Sequence, residues 1–117
     1  MGDDESTTNI LFEVRDPNGV SIICYRDWWE EHIISRRPMD QQEVEDALRN
    51  PDYICQDAKH SERRAYYKRA SLHLNTKVVV EPNDFESDLK VRTAHPSPKP
   101  KQNEKVIWVN PNSLLSH

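Results

Sequence analysis

The chain has 117 residues, of which 35% are apolar and 31% charged, and it carries a formal net charge of −4. That length holds one domain with one small core, and three Trp and four Tyr make the composition too rich in large apolar side chains for a disordered chain. No apolar run approaches the roughly 20 residues a membrane span needs, residues 2–8 are acidic rather than leader-like, and the two cysteines stand apart from any CxxC pair; these features predict a reduced, cytoplasmic protein with no membrane partner.

The charge is uneven along the chain. Residues 1–58 hold five Lys and Arg against fourteen Asp and Glu, whereas residues 59–117 hold eleven against six. An anionic partner would meet the second half, and a basic protein partner the first.

Residues 1–9 read as a disordered, polar N-terminus, and residues 10–117 as the single domain. Two apolar runs flank Asp16-Pro17-Asn18-Gly19, a strong turn signal, so residues 10–25 predict a β-hairpin. Asp27 is placed to cap a short helix through Trp28, Trp29, His32 and Ile33 that stops near Arg37, because Pro38 disfavours helix before it. Asp40 and Glu43 have capping-box spacing for a second helix that ends at Asn50, where Pro51 forbids continuation. Strands are expected at Asp52–Cys55, across RRAYYKRA, across the β-branched run of LNTKVVVEP, and across LKVRTAH, with a last one at VIWVN. Between the last two, PSPKPKQNEK reads as an exposed linker. Helices followed by consecutive strands predict an α+β fold: a hairpin and two short helices packed on an antiparallel sheet of about four strands.

On a wheel at about 100° per residue with Trp28 at zero, His32 falls near 40° and Arg36 near 80°, inside the arc that also holds Trp29 and Ile33. Two readings stay open. In one, His32 is a bonded core-edge histidine and Arg36 snorkels over Trp28; in the other, the helix borders a cleft where His32 moves a proton and Arg36 holds a phosphate. Strand alternation places Arg64, Tyr66 and Lys68 on one face and Tyr67 on the other, and it groups Val91, Thr93 and His95 opposite Arg92. Aromatics interleaved with cations suit a single-stranded nucleic acid, whose bases stack and whose phosphates need positive charge.

The histidines and cysteines lack CxxC, HxxxH or HExxH spacing, so no metal is expected. With Gly2 and Gly19 the only glycines, a Gly-rich phosphate loop is excluded. Cleavage of RNA through its own 2′-OH needs none of these: a base, an acid and positive charge suffice, with no cofactor.

Taken together, WWEEHIISRRP, VEDALRNPDYI, HSERRAYYKR, KVVVEP and VRTAH resemble the phage-associated branch of the barnase/EndoU/colicin/RelE-like ribonuclease superfamily, over roughly residues 26–109. The resemblance implies catalytic roles for His32, Arg36, Tyr67 and Thr93, and RNA contacts from His60, Arg64 and Lys68, beside which Arg92 is a further cation for the phosphates. The family pattern carries Arg-His-Pro where this chain reads Arg36-Arg37-Pro38, so His95 or a phenol would supply the second proton carrier. The expected function is a toxin-like, metal-independent endoribonuclease, with RNA as substrate and an antitoxin-like inhibitor as protein partner. Two alternatives stand beside it: a catalytically silent RNA or single-strand binding module, and a phage or mobile-element accessory domain that binds protein.

Overall fold

The computed structural model describes residues 9–85, 87–98 and 103–114. Strands β1 (Ile10–Arg15) and β2 (Ser21–Tyr25) pair antiparallel about the Asp16–Gly19 turn. Gly19 takes φ +84°, in the left-handed region that a side chain would strain. Asp16 is buried; it accepts the Asn18 and Val20 amides at 2.8 and 2.9 Å and the Tyr66 hydroxyl at 2.6 Å. One carboxylate therefore both closes the turn and fastens it to the centre of the sheet.

Helix α1 (Arg26–Trp28) passes directly into one π-helical turn, Trp29–Ile33, in which the Ile34 amide donates to the Trp29 carbonyl at 2.9 Å. Its boundaries differ from the sequence expectation. The N-cap is Tyr25 without a side-chain bond, because Asp27 instead accepts from Asn9 Nδ2. The helix ends at Ile33, well short of Pro38; beyond it the Ile33 carbonyl accepts the Arg36 and Arg37 amides in a looser turn, at 3.3 and 3.4 Å. Helix α2 (Gln41–Arg49) starts at Asp40, whose side chain accepts the Gln42 amide at 3.0 Å, and it buries Val44, Ala47 and Leu48.

Five further strands follow: β3 (Tyr53–Gln56), β4 (Arg64–Ser71), β5 (Leu74–Pro82), β6 (Leu89–Ser97) and β7 (Lys105–Val109), and then a short α3 (Pro111–Leu114). The expected α+β arrangement on about four antiparallel strands is corrected. All seven strands form one mixed sheet in the order β1-β2-β6-β5-β4-β3-β7, and the helices are short. The N-terminal hairpin is not an appendage: β2 pairs in parallel with β6 through Ile22↔Leu89 and Ile23↔Lys90. A trace of this lies in β2 itself, where Ser21, Ile22, Ile23 and Cys24 are all buried, as in a strand covered on both faces.

On the helix side of the sheet, Phe12, Val14, Ile22, Tyr66, Val78 and Val80 pack with Trp29, Ile33, Val44 and Leu48 into the main core. On the opposite face Cys55, Ala65 and Tyr67 form a smaller cluster, edged by Tyr53 and Val79. The β6–β7 connection reaches this second face, which corrects its reading as an exposed linker. Ser97 belongs to β6 and is buried, and the Glu104 side chain is 6% exposed; residues 99–102 of that stretch lie outside the described residues.

A β-bulge interrupts the β5–β6 ladder. Val79 pairs with Thr93 but Val80 pairs with Val91, which leaves Arg92 as the extra residue. The bulge overturns the simple alternation expected here: Val91 and Ala94 both point into the main core, and Thr93 and His95 share the opposite face with Val79 and Lys77. No helix among the described residues is long and apolar enough to cross a membrane.

Candidate functional site

The π-helical turn and the β-bulge face each other. Between them lies a cavity of about 280 Å³ lined by Trp28, His32, Arg36, Arg92 and Thr93. The indole of Trp28 joins the two walls. Its Nε1–H donates to the Arg92 carbonyl at 2.7 Å, and its ring stacks on the His32 imidazole with centroids 3.9 Å apart and planes tilted by 33°. His32 is half-buried, stacked but not sealed, and Arg36 is exposed. Both irregularities have a local function: the π turn carries His32 beside the strand, and the bulge re-aims Thr93.

A second cavity, of about 320 Å³, adjoins the first and shares Arg92 and Thr93 with it. Lys59, His60, Arg63, Arg64, Lys77 and His95 contribute its cationic and imidazole groups, while Asp57 and Glu104 supply its carboxylates. Its floor is built from buried charge. Lys77 Nζ lies 3.1 Å from Glu104 Oε2, both side chains being 6% exposed, and 5.4 Å from the centroid of the Tyr67 ring. Glu81 Oε1 is shared between Arg63 Nε at 3.6 Å and Arg92 Nη1 at 3.4 Å. The backbone amides of Lys59 and His60 donate to Asp57 and hold its carboxyl below its ordinary value, so it stays anionic. With Glu104 facing Lys77 and Glu81 shared by two arginines, the remaining balance of the combined cleft is positive.

Most residues singled out in the sequence lie on these two cavities. His32, Arg36, Thr93 and Arg92 line the smaller; His95, His60 and Arg64 line the larger. His95 Nδ1 lies 2.9 Å from the Pro96 carbonyl oxygen. A carbonyl only accepts, so Nδ1 donates in that contact and Nε2 is the nitrogen left to face the cavity. Arg64 also reaches the Tyr66 phenol, where its cation opposes the upward push of burial and Asp16.

Two residues lie elsewhere. Tyr67 is fully buried on the second face, stacked on Tyr53 at 5.0 Å, with its hydroxyl donating to Glu104; burial and that carboxylate push its phenol well above the ordinary range. Lys68 sits past the end of α2, where Nζ donates to the Asn50 carbonyl at 3.0 Å and approaches Asp46 at 3.8 Å. Neither lines the cleft. Conversely, Trp28, Arg63, Lys77, Glu81 and Glu104 build the site without having been singled out for it. Only Lys77 left a trace, as a cation inside a β-branched strand, and nothing local pairs it with Glu104.

Among the described residues, no group of three or more His, Cys, Asp or Glu side chains is placed to hold a metal ion. Cys24 and Cys55 are free, buried thiols. Comparison with protein-family models, with characterised proteins and with solved structures finds no match to this chain.

Proposed function

We propose that the protein is a metal-independent endoribonuclease that binds RNA across the Arg92–Thr93 bulge and cleaves it by transesterification. One observation carries this reading: the π turn bearing His32 and the bulge bearing Thr93 border a single cavity, joined by Trp28 and flanked by Arg36 and Arg92. In the reaction, the 2′-OH oxygen attacks the adjacent phosphorus while the bond to the 5′-oxygen breaks. His32 takes the 2′-OH proton, and His95, entering the step as the imidazolium with its Nδ1–H on the Pro96 carbonyl, gives its Nε2 proton to the departing 5′-oxygen and is left neutral. The products are a 2′,3′-cyclic phosphate and a 5′-OH end. Arg36 and Arg92 face the charge that develops on the phosphoryl oxygens, and the Thr93 hydroxyl donates to one of them. These roles for His32, Arg36 and Thr93 are the ones the sequence motifs suggested, and the free thiols agree with a cytoplasmic setting. A protein inhibitor of the antitoxin type would have to cover the same bulge.

The test is incubation of the purified protein with mixed RNAs in EDTA, followed by end-group analysis. Cyclic phosphate ends are expected with wild type and should vanish with His32→Ala. Intact RNA at saturating protein, or equal cleavage by the variant, refutes the proposal. The withdrawal of Tyr67 from the cleft favours a second reading, a silent RNA-binding module, because it removes one of the candidate proton carriers while leaving the cations in position. That module would bind RNA in a salt-sensitive way and produce no new ends.

A further inference from the structure

The larger cavity has its own phosphate-binding chemistry. Arg63 and Arg92 share one oxygen of Glu81 at 3.6 and 3.4 Å, distances too long to use up ten guanidinium N–H donors, and the buried Arg63 Nε has no hydrogen-bond partner. The loop that presents Lys59, His60 and Arg63 is closed on itself. Asp57 accepts the Lys59 and His60 amides at 2.8 and 3.1 Å, the Asp57 amide donates to the Arg63 carbonyl at 3.2 Å, and the Arg63 amide donates to the His60 carbonyl at 2.8 Å. Preorganised cations with unfilled donors, around a cavity of about 320 Å³, fit a phosphate group. The two cavities meet only at Arg92 and Thr93, one on the helix side of the bulge and the other toward the opposite face. A double helix, with a persistence length of about 150 base pairs, is too stiff to turn from one side of the bulge to the other, whereas a single strand can bend around it.

We infer that the Arg63–Glu81–Arg92 cavity is a second phosphate site, so that the preferred ligand is a single strand carrying at least two consecutive phosphates, one on each side of Thr93. The inference rests on the ribonuclease reading only in taking the smaller cavity as the first phosphate site. Its probes are thymidine deoxyoligonucleotides without terminal phosphates, which lack the 2′-OH and are not cleaved: a dinucleotide with one phosphate and a trinucleotide with two. Calorimetric titration of wild type is expected to give about tenfold tighter binding of the trinucleotide and a salt dependence steeper by about 0.7 in log–log slope. Arg63→Gln should abolish that increment, leaving the two probes equal in affinity. Lys59→Gln, at an exposed position that the fold does not need, should reduce it. Equal affinity of wild type for the two probes, or loss of both to the same degree in Arg63→Gln, overturns the second site. RNA cleavage in EDTA without the increment would sink this inference alone, and the increment without cleavage would sink only the ribonuclease reading.

Discussion

The Lys77–Glu104 pair offers the sharpest energetic test of the fold. At 3.1 Å the attraction between the two charges is about 5 kcal/mol at an effective dielectric of about 20. With both side chains only 6% exposed, desolvation of two ions offsets most of that, so the intact pair is close to neutral for stability. Removing one member is different, because the other stays buried and charged. Lys77→Met and Glu104→Gln should each cost about 3–5 kcal/mol, a large part of the roughly 5–15 kcal/mol that holds a small domain together. The glutamine keeps an oxygen for the Tyr67 hydroxyl, so the double variant leaves no buried charge and should cost about 1–2 kcal/mol, less than either single change. Urea unfolding at neutral pH, followed by tryptophan fluorescence and extrapolated linearly, measures all three. The coupling should persist in high salt because the pair is shielded from mobile ions. The Arg49–Glu45 pair, one helical turn apart and with its arginine 51% exposed, should by contrast contribute no more than about 0.5 kcal/mol. Single variants that each cost under about 1 kcal/mol and add in the double would show that the charges are hydrated, and the reasoning would fail.

Two further outcomes follow from the same physics. Burial pushes the Cys24 thiol up to about 12, with Glu45 adding to the effect, and the Cys55 thiol up to about 11, whereas in the unfolded chain both ionise near 9.0; the Tyr53 phenol is pushed from 10.0 to about 12, again chiefly by burial. Raised values mean that the fold holds these protons more tightly, so stability is complete below pH 9 and falls as pH rises toward 11–12. By pH 10 the two thiols alone should cost about 3 kcal/mol, and a melting temperature that stays flat to pH 11 contradicts their burial. Trp28→Phe keeps a ring against His32 but deletes the donor to the Arg92 carbonyl. It should cost about 1–2 kcal/mol and speed amide exchange at the bulge more than in β1, whereas uniform exchange along the sheet would deny the indole its role as a pin.

What the residues determine by themselves here is local. The Asp16–Gly19 turn, the Asp40 cap, the stop at Asn50–Pro51 and the positions of the strands all depend on partners within a few residues, and such signals survive without a fold. The presence of His32 on the first helix beside two tryptophans is of the same kind. The tertiary structure decided everything that depends on which strands become neighbours. Sheet order rests on pairings such as Ile22 with Leu89, which no periodicity reports, so the hairpin joined the main sheet and raised it to seven strands. The bulge at Arg92 reversed the expected facing of Val91 relative to Thr93, because one extra residue in a period-two chain flips everything beyond it. Tyr67 and Lys68 left the cleft for the same reason that Lys77 and Glu104 entered it: a charge or phenol goes where a distant partner satisfies it, and distance along the chain says nothing about that.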